Sequence, residues 1–136
     1  MIKDIVKDKH FLSKASSNAT KKDPYIADDL MDTLNYHKEE CLGLAANMIG
    51  YSKRVIIVSM GFVDIVMFNP VIIEKSQPYL TNEGCLSLLG QRATQRYETI
   101  KVTYKDKNWK QKTLTLNKLA AQICQHELDH LEGRLI

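Results

Sequence analysis

The chain has 136 residues, of which 44% are hydrophobic and 26% are charged, a balance typical of soluble globular proteins and without the apolar run of roughly 20 residues that a membrane helix requires. Its net charge of +3 is spread out with no block of five like charges, which argues against sequence-specific nucleic-acid binding. Because the first residues also lack the apolar segment of an export signal, we expect a cytoplasmic protein that forms one domain over residues 1–136.

The first predicted elements are a helix and several strands. Apolar side chains recur at helical spacing over residues 24–38, which predicts a helix that begins at Pro24, directly after Asp23. Residues 54–60 and 63–70 are rich in β-branched side chains and are separated by a short turn, which predicts a hairpin. Residues 71–77 form a further strand candidate.

The second half of the chain predicts another hairpin and a last helix. Residues 98–106 and 110–117 alternate apolar and polar side chains. Asn117 is a candidate cap for a helix over residues 118–133, which Gly133 can terminate. This order predicts an α+β fold in which antiparallel strands pack around a C-terminal helix.

The last predicted helix contains the segment QHELDH, in which His126 and His130 are four positions apart. Residues at that spacing share one helix face about 6 Å apart along the axis, so both imidazoles can reach one metal ion. Glu127 can handle the proton of a water on such an ion. So short a motif has many chance matches, and a third ligand is needed to support it.

Neither the downstream chain nor the helix itself provides an obvious third ligand. Beyond His130 only six residues follow, and Glu132 in the same helical run is rotated away from it. Cys124 lies about 200° around the helix from His126, so we expect Cys124 to be a small buried side chain.

Four other residues have the right chemistry for the third ligand. Cys41, His10 and His37 remain candidates by type, although their local sequence does not favour them. Cys85 is favoured because Gly84 precedes it and allows the backbone to approach a ligand closely. A thiolate there would complete a Cys/His/His site with an open fourth position.

Three ordered segments of the chain resemble the motifs of the peptide deformylase family: CLGLAANM (41–48), EGCLS (83–87) and QHELDH (125–130). The resemblance extends over nearly the whole chain. It implies a deformylase fold in which Cys85, His126 and His130 bind a divalent metal, Glu127 is the general acid and base, and the backbone N–H of Leu86 supports an oxyanion.

The resemblance also implies a set of substrate contacts. Leu42, Gly43 and Gly84 would lie along the substrate backbone, as in an added strand. Ile123 and Leu119 would help to line an apolar pocket for the first side chain. For Leu119, packing in the core between helix and sheet is an equally good expectation.

The first motif departs from the family pattern at two positions. Cys41 replaces a glycine, and Met48 occupies the position of a glutamine whose amide is thought to donate to the oxyanion. A thioether has no proton to donate, and losing one such donor typically costs on the order of 100- to 1000-fold in rate. Met48 would then form part of the pocket wall, and the neighbouring Asn47 is a candidate substitute donor.

The function that the resemblance implies is metal-dependent removal of the formyl group from the N-terminal formylmethionine of nascent polypeptides. Ferrous iron is the implied ion in the cell, and the ligand types also suit zinc, nickel or cobalt. The implied partners are the formylmethionyl peptide and transiently the ribosome, with no membrane. Two alternatives remain: a deformylase-like protein with weak or altered activity because of Met48, and, less favoured, a peptide-bond protease of the HExxH type.

Overall fold

The computed structural model describes residues 1–136 and contains three α-helices, one 3-10 helix and five strands. The α-helices are α1 (Lys9–Leu12), α2 (Tyr25–Tyr36) and α3 (Lys118–Leu131), and the 3-10 helix is Ala46–Ile49. The strands are β1 (Gly43–Ala45), β2 (Val55–Ser59), β3 (Asp64–Cys85), β4 (Leu88–Lys105) and β5 (Gln111–Asn117).

The strands form one antiparallel sheet in the order β1-β2-β3-β4-β5, and α3 packs on it. Strand β2 is buried at every position, which explains its uninterrupted run of apolar side chains. Side chains from the sheet, α2 and α3 form a single core of 24 buried residues. The predicted fold class is therefore confirmed. None of the helices combines the length and apolar character needed to cross a membrane.

Most of the predicted elements are present near their expected bounds. The helix predicted over 24–38 is α2, and the one predicted over 118–133 is α3, which Gly133 follows in the left-handed conformation at φ +81°. The two predicted hairpins are β2–β3 and β4–β5. Asp106 closes the second hairpin, because its side chain accepts hydrogen bonds from the N–H groups of Asn108 and Lys110.

The prediction of a separate strand over residues 71–77 is wrong, because these residues continue β3. Asn69 takes a left-handed conformation with φ +53°, and the register with β4 shifts between Phe68 and Val71. This bulge carries the strand past Pro70, which cannot donate to the ladder. The Asn69 side chain also accepts from Ala19 N–H at 2.7 Å and donates to Ala19 C=O at 3.0 Å.

The long β3–β4 hairpin carries Cys85 to α3. Cys85 pairs with Leu88 across the tip of the hairpin, so Leu86 and Ser87 form a two-residue turn. One end of the hairpin is held in the core sheet, while the tip contributes to the surface next to His126. The hairpin thus brings together segments that are about 40 residues apart in sequence.

We expect Asn69→Ala to lower the free energy of unfolding by about 2–3 kcal/mol, since it removes two hydrogen bonds and places a Cβ-bearing residue without a compensating side chain at positive φ. Asn69→Gly removes the same bonds but tolerates the backbone angle, and should cost less. Urea denaturation of the unmodified protein and the two variants separates the loss of the hydrogen bonds from the cost of the backbone angle. Equal stabilities for all three would contradict this account of the bulge.

Candidate metal centre

The side chains of Cys85, His126 and His130 converge, with their ligand atoms all within 4.8 Å of one another. His130 Nε2 lies 3.1 Å from His126 Nε2 and 3.3 Å from Cys85 Sγ. Both histidines are buried, and Cys85 is half-buried. The N–H of Ser87 donates to Cys85 Sγ at 3.4 Å.

The two distances that His130 Nε2 makes to the other ligand atoms are close to those of a small tetrahedral cation site. Two nitrogen ligands at the usual zinc distance of about 2.0–2.1 Å, separated by a tetrahedral angle, are about 3.3 Å apart, and a sulfur and a nitrogen are about 3.6 Å apart. Burial lowers the pKa of His130 to about 3, so its ring is neutral with a lone pair available, as ligation requires. The three residues therefore fit a divalent metal.

Glu83 orients His126. Its Oε1 accepts the Nδ1 proton of His126 at 2.7 Å, which leaves Nε2 free to face the other two ligand atoms. Burial acts to raise the pKa of Glu83, but hydrogen bonds from His126, Arg96 and Gln122 outweigh it and hold that pKa at about 2. Burial acts to lower the pKa of His126, but its hydrogen bonds with the Cys85 sulfur and the Glu83 carboxylate outweigh this effect and raise that pKa to about 10; a bound cation displaces such a proton.

Sequence reasoning did not assign a role to Glu83 or Arg96. Arg96 is 4% exposed and binds Glu83 Oε1 through Nη2 at 2.7 Å and Asp129 through Nη1 at 2.6 Å. The available signal was the acidic residue two positions before Cys85, since metal-ligating histidines commonly bind a carboxylate. No signal in the local sequence indicated that Arg96 would reach both segments.

Glu127, the neighbour of His126 on α3, is buried with 4% of its surface exposed. Its Oε1 has no hydrogen-bond partner in the protein. Burial raises the pKa of Glu127 to about 7, with the charge of His126 lowering it in part. A carboxyl group with that pKa can both accept and return a proton near neutral pH.

A cavity of about 330 Å³ opens beside Cys85 and His126. Leu119 is 56% exposed and lines this cavity, so the expectation that it packs in the core is wrong. The N–H of Leu86, at the tip of the hairpin, is not a donor in any of the backbone hydrogen bonds of the turns and loops. All the residues expected to contact substrate line the cavity: Leu42, Gly43, Met48, Gly84, Leu86, Leu119 and Ile123.

Met48 and Asn47, at the end of the first motif, have different surroundings. Met48 is 2% exposed, forms part of the cavity wall and accepts a weak hydrogen bond from Ala45 N–H, 3.5 Å from its sulfur. Asn47 is not a substitute donor, because its Nδ2 donates to the C=O of His130 at 2.8 Å. The side chain of Asn47 therefore holds the end of α3.

Comparison with known proteins decides the family. The polypeptide deformylase family matches residues 2–136. A peptide deformylase from Clostridium beijerinckii is 54% identical over 136 residues and covers both chains completely. The chain belongs to the peptide deformylase family. The alternative of a deformylase-like protein with weak or altered activity is accordingly not favoured.

Solved deformylase structures share the whole fold. A class I type b peptide deformylase from Acinetobacter baumannii, bound to Met-Ala-Ser, has a TM-score of 0.87 at 28% identity and covers 99% of this chain and 96% of its own. The peptide deformylase from Thermotoga maritima has a TM-score of 0.88 at 29% identity, over 99% and 95% of the two chains.

The other candidate ligands are not members of the Cys85, His126 and His130 group. His37 binds the Glu40 carboxylate through Nδ1 at 2.8 Å, and His10 is exposed on α1. Cys41 lines the cavity, where burial raises its pKa to about 11. None of the three belongs to the converging group of ligand atoms.

At Gly43, β1 packs tightly against side chains of α3. A Cβ at this position would lie 2.5 Å from Ile123 Cγ2 and 3.1 Å from Glu127 Oε2. Contacts this short force one of the two elements to move. Only glycine therefore allows β1 to lie this close to α3.

We expect Gly43→Ala to lower kcat/KM at least about tenfold, because it displaces Glu127 and Ile123 by a fraction of an ångström in a close-packed wall. Ile123→Leu removes the Cγ2 branch at nearly constant volume, so the double variant Gly43→Ala/Ile123→Leu should recover part of the loss. Formate release from a formyl-Met peptide measures each variant. A double variant no better than Gly43→Ala would contradict a steric cause.

Proposed function

We propose that the cavity beside Cys85, His126 and His130 hydrolyses the N-formyl group of formylmethionyl peptides. The observation that carries the proposal is the convergence of three ligand atoms next to a buried, unpartnered carboxylate, Glu127, at the wall of an open cavity. Membership of the peptide deformylase family supports the same activity. A protease of the HExxH type has no comparable support.

Cys85, His126 and His130 would hold a divalent ion, whose chemistry when bound would be to activate a water molecule and polarise the formyl oxygen. Glu127 takes the proton of the attacking water, for which its free Oε1 is available. The same carboxyl group then returns the proton to the leaving amine. The N–H of Leu86, at the turn beside Cys85, donates to the oxygen on which negative charge develops.

The substrate backbone would lie between β1 and the end of β3. Leu42 and Gly43 at β1 and Gly84 near the end of β3 all border the cavity, so their backbone groups can form strand-like hydrogen bonds with an extended peptide. Ile123 and Leu119 provide an apolar surface for the methionine side chain. The binding of Met-Ala-Ser by the Acinetobacter baumannii deformylase supports this choice of ligand.

Further parts of the proposal concern the cellular context. Ferrous iron is the proposed ion in the cell, and zinc, nickel and cobalt are suitable replacements because a thiolate and two imidazoles bind all four. We place the reaction in the cytoplasm, where formylated chains emerge from the ribosome, with transient contact between the two. The family match over residues 2–136 supports a single domain.

Metal-loaded protein should release formate from a formyl-Met-Ala-Ser peptide, and Glu127→Gln should reduce kcat by at least about 1000-fold while metal binding persists, since the amide cannot accept the proton. Metal content and formate are measured on the same samples. Activity of Glu127→Gln close to that of the unmodified protein would exclude Glu127 as the general base.

The position of Met48 in the cavity wall allows a test of oxyanion stabilisation. Met48→Gln introduces an amide donor and should raise kcat by about 10- to 100-fold, somewhat less than the full effect of such a donor because the amide must also be desolvated. Met48→Leu is the matched control, which removes the sulfur without adding a donor. An unchanged kcat for Met48→Gln would mean that position 48 does not face the reacting oxygen.

A further inference from the structure

Gln122 lies on α3 one turn before His126 and forms part of the cavity wall. Residues four positions apart share a helix face, so both side chains reach the same carboxylate, that of Glu83. The Nε2 of Gln122 donates to Glu83 Oε2 at 2.9 Å. This is the only hydrogen bond of the Gln122 side chain within the protein.

Both carboxylate oxygens of Glu83 are held by donors. Oε1 accepts from His126 Nδ1 and Arg96 Nη2, each at 2.7 Å. Oε2 accepts from Arg96 Nε and Gln122 Nε2, each at 2.9 Å. Rotation of this carboxylate would break bonds on both oxygens, and Gln122 opposes the rotation from the cavity side.

Another glutamine of the same helix shows a different pattern. Gln125 accepts from the N–H of Tyr97 at 2.9 Å and donates to its C=O at 2.8 Å, so it ties α3 to β4. Gln122 makes no hydrogen bond to the backbone of a strand. Its one polar partner is the carboxylate that orients His126, and its remaining surface faces the cavity.

We propose that Gln122 is a positioning residue that acts on His126 through Glu83, so that a single side chain both lines the substrate cavity and steadies a metal ligand. The inference rests on the ligand set proposed above. Glu83 keeps the His126 proton on Nδ1, and a less restrained carboxylate allows the ring to turn or change tautomer. Replacing the direct partner of a ligating histidine typically costs about 10- to 100-fold in metal affinity, and Gln122 is one step further from the metal.

Gln122→Met provides the test, because methionine matches glutamine in length and helix propensity but has no amide donor. Each protein is loaded with Zn²⁺ and mixed with excess chromogenic chelator, and the rate of Zn²⁺ release is followed. We expect release about 3- to 10-fold faster from Gln122→Met, and faster still from Glu83→Gln. Gln95→Met, at an exposed position of β4, should release Zn²⁺ at the unmodified rate.

A second pair of measurements distinguishes a positioning role of Gln122 from a role only in lining the cavity. The urea midpoint of Gln122→Met should match that of the unmodified protein, and its KM for a formyl-Met peptide should be equal or lower, because the wall becomes more apolar. A release rate within twofold of the unmodified protein, with Glu83→Gln faster, would overturn the proposal. A change in KM without faster release would overturn it too.

The same samples separate this inference from the proposed activity. Failure of the unmodified protein to bind Zn²⁺ would overturn both the ligand set and the role of Gln122. Zn²⁺ binding without formate release would contradict only the activity, and the release rates would still decide the role of Gln122.

Discussion

One buried guanidinium joins the two parts of the chain on which the metal centre depends. Arg96, on β4, binds Glu83 at the end of β3 and Asp129 on α3. Removing one member of a buried ion pair typically costs about 3–5 kcal/mol, because the other charge is left without a partner. The position of the hairpin over the helix, and therefore of Cys85 over His126 and His130, depends on this contact.

The same arrangement explains why the site contains more acidic groups than its chemistry uses. Glu83 is kept ionised by four hydrogen-bond donors. Glu127 has no donor on Oε1, and burial raises its pKa to about 7. Two carboxyl groups near His126 thus have different protonation because their surroundings differ. One can orient a ligand permanently, while the other remains available to exchange a proton.

Much of this protein could be predicted from its sequence because its strongest patterns are local. The i, i+4 histidines and the alternating strands express the periods of helix and sheet directly. The continuous β3 strand could not be predicted, because Pro70 normally interrupts a strand and the bulge at Asn69 depends on the distant Ala19. The roles of Arg96 and Asn47 also require tertiary contacts that no local pattern encodes.

The position of α3 after all five strands has a consequence for biosynthesis. Two of the three proposed metal ligands and Glu127 lie on this helix, and the part of the sheet that α3 covers stays uncovered by it until the helix is synthesised. A growing chain that has completed every strand therefore still exposes that part of the sheet and lacks most of the centre. Each new copy of the enzyme must remain inactive until its last helix has left the ribosomal tunnel and docked.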